Sequence, residues 1–402
     1  MVIKINSLIR YELKKIISVK KAVLLLAFIL SIALIYLFSH IQNYEYSRML
    51  KQEYSEFSGP VSDEKAVSAE NKYEAFMMDL SHYDIPEQYL NTDINELNSI
   101  ISFNTYYLAD EYKSAAEALK TISSEAQTAA DYKSNFSKLL KSMELSKAAE
   151  KKYSDLRINF SEPIIGYCEA WRLFVEFTVV YAPLILGFIL ILLISPVFTK
   201  EYVSSVGNII ISTKNGKSRV IIAKVTASLI CAGAVFIILT LINLLLLGLV
   251  FGFDGYNVSM FAGTNEIFTQ TPYGFTYLSY LFYYLAFGIT GVVFFTLSLL
   301  TISCMFKSYV TSMSTAFLIY YIPAFTDLLT YNYMQKNDLS DILYFTNYSM
   351  VQASSYVSRF RSFEFGDVSV PVIYFSVIFF IFISVINISF LFVLFKRSAV
   401  EK

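Results

Sequence analysis

The sequence predicts an all-α, polytopic membrane protein with six transmembrane helices, an N-terminal amphipathic interfacial helix and a helical extracytoplasmic domain. Three observations lead to this prediction. Of the 402 residues, 55% are hydrophobic and only 16% are charged, which is too apolar for an ordinary soluble protein. Six uncharged stretches are long enough to cross a hydrocarbon core as helices. Basic residues are concentrated in alternate connections between these stretches.

The predicted spans fix the orientation of the chain. They are 22–39, 177–199, 225–253, 278–304, 308–326 and 368–395. Lysines precede the first span, as in a secretion signal, but no small-residue cleavage site follows it, so we expect a retained span. Alternate connections carry the basic residues Lys4, Arg10, Lys14, Lys15, Lys20, Lys21, Lys200, Lys214, Lys217, Arg219, Lys224, Lys307, Lys396 and Arg397. The positive-inside rule therefore predicts that both termini are cytoplasmic.

Residues 1–40 contain an amphipathic segment before the first span. Its apolar face holds Ile5, Leu8, Ile9, Leu13, Ile16 and Ile17, and its opposite face holds Arg10, Lys14 and Lys15. An ordinary basic flank explains the charges but not the apolar stripe. We therefore expect a helix that lies in the membrane interface, with its cations near anionic headgroups.

Residues 41–172 form a hydrophilic insert between the first two spans, which we interpret as an extracytoplasmic domain. Residues 87–162 contain neither Gly nor Pro. Apolar residues recur in steps of three, four or seven at Leu97, Ile101, Leu108, Tyr112, Ala115, Leu119, Ile122, Ala126, Ala129, Phe136, Leu140 and Met143. This pattern predicts a coiled-coil-like hairpin or stalk. If the helix folds back, 123–124 and 131–135 are the expected turns. A spacer or lid is the simpler role, and direct substrate recognition is the alternative.

Residues 173–402 form the remaining transmembrane domain, and we find no enzymatic motif in the chain. The tetrapeptide 215–218, Asn-Gly-Lys-Ser, resembles the end of a phosphate-binding loop, but the required first glycine would fall at Ile211. We also find no nucleophile elbow and no paired carboxylates in a plausible pocket. His40 and His82 are too few and too far apart in sequence to predict a metal site.

The three cysteines also predict no covalent structure. Cys168 lies before the second span, Cys231 lies within the third, and Cys304 lies at the end of the fourth. We expect no disulfide between residues at such different depths.

The connection after the second span resembles that of ABC-2 type permeases. The pattern consists of Glu201-Tyr202, Gly207, Ile209-Ile210-Ile211-Ser212-Thr213, Gly216, Arg219 and Ala223-Lys224. The segment Glu12-Leu13-Lys14-Lys15 is similar to the start of that family. The resemblance covers residues 1–40 and 173–402, and an insert such as 41–172 is seen only in some members.

The resemblance implies the permease subunit of an ATP-driven exporter. Residues 199–219 are then a coupling loop that docks on a separate ATPase subunit, with contacts at Glu201, Tyr202, Gly207, Asn208, Lys214 and Gly216. No cofactor is expected in this chain, since ATP and Mg would be bound by the ATPase. The expected partners are two ATPase subunits, a second permease copy or a sibling permease, and membrane lipids, but no nucleic acid. The resemblance also implies a bacterial cell membrane and short re-entrant helices within 327–367.

The spans contain few clues to the cargo. They lack deep Lys, Arg, Asp or Glu, which argues against ion-coupled transport. An apolar, aromatic-rich path favours a hydrophobic or amphipathic cargo, such as a peptide, an antimicrobial or a lipid-like molecule. Asn243 and Asn387 are the candidate polar residues of such a path. The alternative function is a non-transporting scaffold, sensor or immunity protein whose extracytoplasmic domain binds a partner.

Overall fold

The structure is a computed structural model that consists mostly of helices. It describes residues 5–82, 110–134, 143, 145–157, 163–203, 216–263, 268, 271–333, 342–358 and 360–397. Five of its helices are long and apolar enough to cross a membrane, namely Val19–Phe57, Glu169–Glu201, Ser218–Phe251, Tyr277–Met305 and Val372–Phe395. A helical, multi-pass membrane architecture is thereby confirmed.

The elements follow in chain order. The helices are α1 (Ile5–Ile16), α2 (Val19–His40), α3 (Tyr44–Phe57), α4 (Asp63–His82), α5 (Asp110–Ser134), α6 (Lys147–Arg157), α7 (Glu169–Glu176), α8 (Ala182–Ile194), α9 (Pro196–Val203), α10 (Gly216–Phe251), α11 (Met260–Gly263), α12 (Tyr277–Met305), α13 (Tyr309–Tyr333), α14 (Asn347–Gln352), α15 (Ser355–Ser358) and α16 (Val372–Arg397). A 3-10 turn, Ile41–Asn43, joins α2 to α3, and a π-helical turn, Phe177–Tyr181, joins α7 to α8. Two antiparallel strand pairs complete the set: β1 (Gly59–Pro60) with β2 (Ile164–Ile165), and β3 (Ser362–Phe365) with β4 (Val368–Pro371).

Two predicted spans differ from the observed helices. The stretch 308–326 is helical, as α13, but α13 is not among the five apolar helices because Ser, Thr, Tyr and Pro323 dilute its apolar residues. The count of six spans therefore stays a prediction. The stretch 368–395 begins with strand β4 rather than with helix, since its first four residues pair with β3 across a tight turn at Gly366, where φ is 63°.

One compact unit of the chain comprises Met1–Ala33, Phe174–Leu245 and Tyr280–Lys402. Inside it, α13 runs antiparallel to α8. At one end, the hydroxyl of Tyr320 donates to the carbonyl of Pro183 at 2.7 Å, and at the other, the hydroxyl of Ser312 donates to the carbonyl of Ser195 at 3.4 Å. Gly187 permits this approach, since a Cβ there would lie 2.2 Å from the Tyr320 ring.

A second compact unit comprises Leu34–Leu173 and Leu246–Ser279. Its core is formed where α5 packs against α3 and α4. The buried core residues are Leu50, Tyr54, Phe57, Val61, Ala66, Ala69, Ala118, Ile122, Ala126, Ala129, Ile165, Tyr167 and Phe261. The unit also includes 246–279, which the sequence analysis assigned to the transmembrane domain.

The predicted apolar seam is correct within α5, where Leu119, Ile122, Ala126 and Ala129 are buried. The seam residues Leu97, Ile101, Leu108, Phe136 and Leu140 lie outside the described residues. The predicted turn at 123–124 is wrong, as is the part of the 131–135 turn that falls in 131–134, because α5 continues through both. Small seam residues allow α5 to pack as one continuous helix against α3 and α4.

A contact between α12 and α14 gives a first prediction. A Cβ at Gly291 would lie 2.3 Å from the backbone carbonyl oxygen of Met350, and a backbone atom has no rotamer in which to move away. Both helices belong to the first compact unit. We expect Gly291→Ala to lower the free energy of unfolding of that unit by about 1–3 kcal/mol through overpacking. The measurement is the temperature at which the buried thiol of Cys304 begins to react with a maleimide dye.

The matched control is Gly233→Ala in α10, because nothing lies within 4 Å of a Cβ at that position. Alanine has the higher helix propensity, so this variant should react at an equal or higher temperature. Equal thiol exposure temperatures for wild type and Gly291→Ala would contradict the close packing of α12 on α14.

Candidate functional site

The candidate site of the first unit is a group of four charged side chains, which we name the Lys224 cluster: Glu12, Lys15, Glu201 and Lys224. Glu12 and Lys15 come from α1, Glu201 comes from α9, and Lys224 comes from the first turns of α10. The side chains of Lys224 and Glu12 are 1% and 3% exposed, so both charges are withdrawn from solvent.

The cluster is connected by short ion pairs. The ammonium group of Lys224 donates to a carboxylate oxygen of Glu12 at 2.9 Å and lies 2.7 Å from one of Glu201. Lys15 donates to that same Glu201 oxygen at 2.8 Å and contacts Glu12 at 3.5 Å. The carbonyl of Val197 accepts a further hydrogen bond from Lys224 at 3.4 Å. Two carboxylates and two ammonium groups give the cluster no net formal charge.

The balance of charge is what makes this burial tolerable. An ion that is removed from water without a partner costs several kcal/mol, and a buried ion pair offsets that cost only when its geometry is good. Burial by itself lowers the pKa of Lys15, but its hydrogen bond to Glu201 and the charges of Glu201 and Glu12 outweigh burial and hold the pKa above its usual value. Each carboxylate therefore pairs with two ammonium groups, those of Lys15 and Lys224.

The structure places three of the predicted coupling residues and leaves three outside its described part. The carboxylate of Glu201 is turned inward into the Lys224 cluster. Tyr202 lies in the last turn of α9, and Gly216 is the first residue of α10. Gly207, Asn208 and Lys214 lie outside the described residues. Contact of these six residues with an ATPase stays a prediction.

The two candidate path residues have different surroundings. Asn243 in α10 is fully buried, and neither polar atom of its side chain has a hydrogen-bond partner among the described residues. Asn387 in α16 is half-buried and accepts a hydrogen bond from the hydroxyl of Thr301 at 3.1 Å. The structure does not bring the two together in any contact that it records. Asn243 remains the stronger candidate for a polar contact inside the bundle.

Sequence reasoning assigned no site role to Glu12, Lys15 or Lys224, although a signal was present. Glu12 lies four residues after Leu8 and four before Ile16, which places it on the apolar stripe of α1 rather than on the charged face. Lys224 likewise lies between the buried residues Val220 and Ser228. A charge in the middle of an apolar stripe indicates a buried partner.

The second unit has a polar cavity of about 170 Å³ around Glu125 of α5. The hydroxyl of Tyr54 donates to this carboxylate. The opposite wall carries Glu169, which accepts two hydrogen bonds from the guanidinium of Arg172 at 2.6 and 2.9 Å. Cys168 lies beside them.

Glu125 is the titrating group of this cavity. Burial raises its pKa to about 7 and repulsion from Glu169 adds to the rise, while the hydrogen bond from Tyr54 and the charge of Arg172 oppose it. This carboxyl group therefore exchanges its proton near neutral pH. No sequence pattern distinguishes this residue, because Glu125 is one of several acids in a polar helix.

No metal or disulfide chemistry is found in the described part of the chain. Cys168, Cys231 and Cys304 are all buried, and none of them forms a disulfide among the described residues. No group of three His, Cys, Asp or Glu side chains is placed to hold a metal ion among the residues that the structure describes.

Comparison with known proteins gives no relative. No protein-family model matches the chain, and neither a curated protein nor a solved structure does so.

Loss of one charge from the Lys224 cluster gives a second prediction. Lys224→Met leaves Glu12 and Glu201 with one exposed lysine between them, so we expect a loss of about 3–5 kcal/mol in stability, as for other broken buried pairs. The measurement is the denaturant dependence of Cys304 labelling in the purified full-length protein.

Two further variants test the reason for that loss. Adding Glu12→Gln to Lys224→Met restores the charge balance and should recover part of the stability. Lys14→Met removes an exposed lysine of α1, the helix that carries Glu12, and should change the stability little. A Lys224→Met protein as stable as Lys14→Met would contradict the cluster.

The Glu125 cavity gives a third prediction. Its folded pKa of about 7 lies above the ordinary carboxyl value of 4.5, so the folded state binds the proton more tightly and the second unit loses stability as pH rises from 4.5 through 7. Glu125→Gln removes this dependence and should stabilise the unit by about 2 kcal/mol near pH 8 and by much less near pH 5.

The fluorescence of Trp171 reports this transition, because it is the single tryptophan of the chain and is buried in the same unit. Glu117→Gln, an exposed substitution in the same helix, is the control and should keep the wild-type pH dependence. Parallel pH profiles for wild type and Glu125→Gln would show that Glu125 does not carry it.

Proposed function

We propose that the chain is the transmembrane permease subunit of an ATP-driven exporter, in which ATP and Mg are bound by separate ATPase subunits. The sequence resemblance to ABC-2 type permeases is one support. The single observation that carries the proposal is the Lys224 cluster, because it joins both flanks of the proposed coupling loop to α1. Glu201 lies near the beginning of that loop, 199–219, and Lys224 lies shortly after its end.

This arrangement gives the loop a mechanical role. The ion pairs hold the end of α9 and the start of α10 against one another and against α1. A load applied between residues 203 and 216 is then transmitted to both helices together, rather than bending one of them alone. A basic loop that served only to set topology would need none of these buried pairs.

The path of α13 supports six crossings. Its contacts with the α8–α9 region run from Ser195 at one end to Pro183 at the other, and both residues belong to the apolar helix Glu169–Glu201, which itself qualifies as a span. With α13 included, the proposed number of membrane-spanning helices is even, so both ends of the chain lie on the same side of the membrane. The ring of Phe395 lies 5.8 Å from that of Phe198, which places the end of α16 beside α9.

The outer helices support a membrane environment with a second permease copy or a sibling permease. Only 11% of the apolar window of Val372–Phe395 and 22% of that of Val19–Phe57 are buried within the chain. Apolar surface of this extent is covered by lipid or by another permease. We propose a hydrophobic or amphipathic cargo, with Asn243 as a polar contact in its path.

A second candidate function rests on the second unit. Its own helical core and its cavity around Glu125 favour a sensor or immunity protein that binds a partner through this unit. The two functions differ in one respect that experiment separates: only the exporter requires an ATPase.

The fourth prediction tests the exporter. The full-length protein, purified from its native membranes, should bring with it an ATPase whose hydrolysis is inhibited by vanadate. Replacing residues 204–215 by a Gly/Ser linker of equal length should abolish this co-purified activity. Protection of Cys304 should persist, because Cys304 lies in α12 and the replacement leaves the sequence of that helix unchanged.

The control replaces the turn residues Gly366 and Asp367 between β3 and β4 by Asn and Gly, and it should keep full activity. Wild-type ATPase activity with the linker variant would overturn the coupling role of 204–215. Tight binding of a peptide by the protein, with no ATPase present in any preparation, would favour the sensor instead.

A further inference from the structure

A cavity of about 230 Å³ opens beside the Lys224 cluster, and part of its wall is apolar. Its lining residues are Tyr11, Glu12, Lys15, Ile16, Lys21, Leu193, Pro196, Val197, Lys200 and Glu201. Glu12 and Glu201 are already satisfied by Lys15 and Lys224. The acids of the cavity are therefore committed to other cations.

Two lysines of this cavity have no acidic partner among the residues that the structure describes. Lys21 at the start of α2 and Lys200 in α9 lie close enough for their ammonium groups to interact with each other. No carboxylate among the described residues pairs with either of them. The ammonium group of Lys21 donates a hydrogen bond to the carbonyl of Ile16 at 3.3 Å. Two ammonium groups that interact directly repel each other unless an anion lies between them.

The position of the two lysines indicates where that anion comes from. The first apolar helix begins at Val19 and the second ends at Glu201, so Lys21 and Lys200 lie within two residues of the ends of both. This is the depth at which the phosphate groups of a bilayer are found. Beside them Leu193, Pro196 and Val197 offer an apolar wall that suits an acyl chain rather than a free ion.

We propose that Lys21 and Lys200 bind the phosphate of an anionic phospholipid headgroup, with its acyl chain against the Leu193–Val197 wall. The bound headgroup neutralises the two cations and joins α2 to α9 next to the Lys224 cluster. This site does not depend on the exporter function and would exist equally in a sensor. The shared chemistry is a phosphate anion, and the lipid is the source to which the apolar wall points.

The experiment titrates the delipidated full-length protein with phosphatidylglycerol and with phosphatidylcholine of the same acyl chains, and native mass spectrometry counts the bound lipid. We expect one phosphatidylglycerol bound about tenfold more tightly than phosphatidylcholine, and loss of that preference in Lys21→Gln/Lys200→Gln. Lys21→Arg/Lys200→Arg keeps both charges and should keep the preference.

The matched control is Lys14→Gln/Lys20→Gln, which removes two exposed lysines that do not line the cavity and should bind as wild type does. Protection of Cys304 confirms that each variant is folded. Equal binding of the two lipids by wild type would overturn the site, as would an unchanged preference in Lys21→Gln/Lys200→Gln. Displacement of the lipid by millimolar inorganic phosphate would assign the lysines to a free anion and overturn the lipid.

Discussion

The burial of Lys224 is the constraint on which the membrane unit depends. An ammonium group that is 1% exposed cannot remain charged without partners, and its partners come from two other helices. Glu12 brings α1 to the bundle and Glu201 fixes the end of α9. Lys15 then balances the second carboxylate. The order of these elements in space follows from the need to pair one buried cation.

Two neighbouring features, the segment 204–215 and the cavity of Lys21 and Lys200, adjoin the Lys224 cluster. The segment 204–215 begins just after Glu201 and ends shortly before Lys224, so its two anchors are parts of one charge-balanced group. The cavity of Lys21 and Lys200 shares Glu12, Lys15 and Glu201 with it. In the second unit, by contrast, Glu125 has a tyrosine hydroxyl and a nearby guanidinium but no ion pair among the described residues, and burial raises its pKa to about 7.

The sequence predicts the helices better than their contacts. Length and apolarity identify a span without reference to any neighbour, which is why 22–39, 177–199 and 278–304 lie within observed apolar helices. The stretch 225–253 does so as far as Phe251, where its helix ends. The predicted helix 368–395 begins four residues before the observed one, because Val368–Pro371 forms the strand β4. The turn predicted at 123–124 is wrong because α5 continues through both serines, and Ser123 is buried in that helix. The charges of Glu12 and Lys224 within apolar stripes indicate that each has a buried partner, but no local pattern identifies a partner 212 positions away.

The central claim is that the Lys224 cluster holds α1 against the start of α10. Its most direct test is the distance between spin labels on cysteines introduced at the exposed positions Lys14 and Arg219, measured by double electron–electron resonance in the reconstituted protein. The account predicts one narrow distance distribution in the otherwise native chain and a broad one when Lys224→Met is added. The same narrow distribution in both proteins would contradict it.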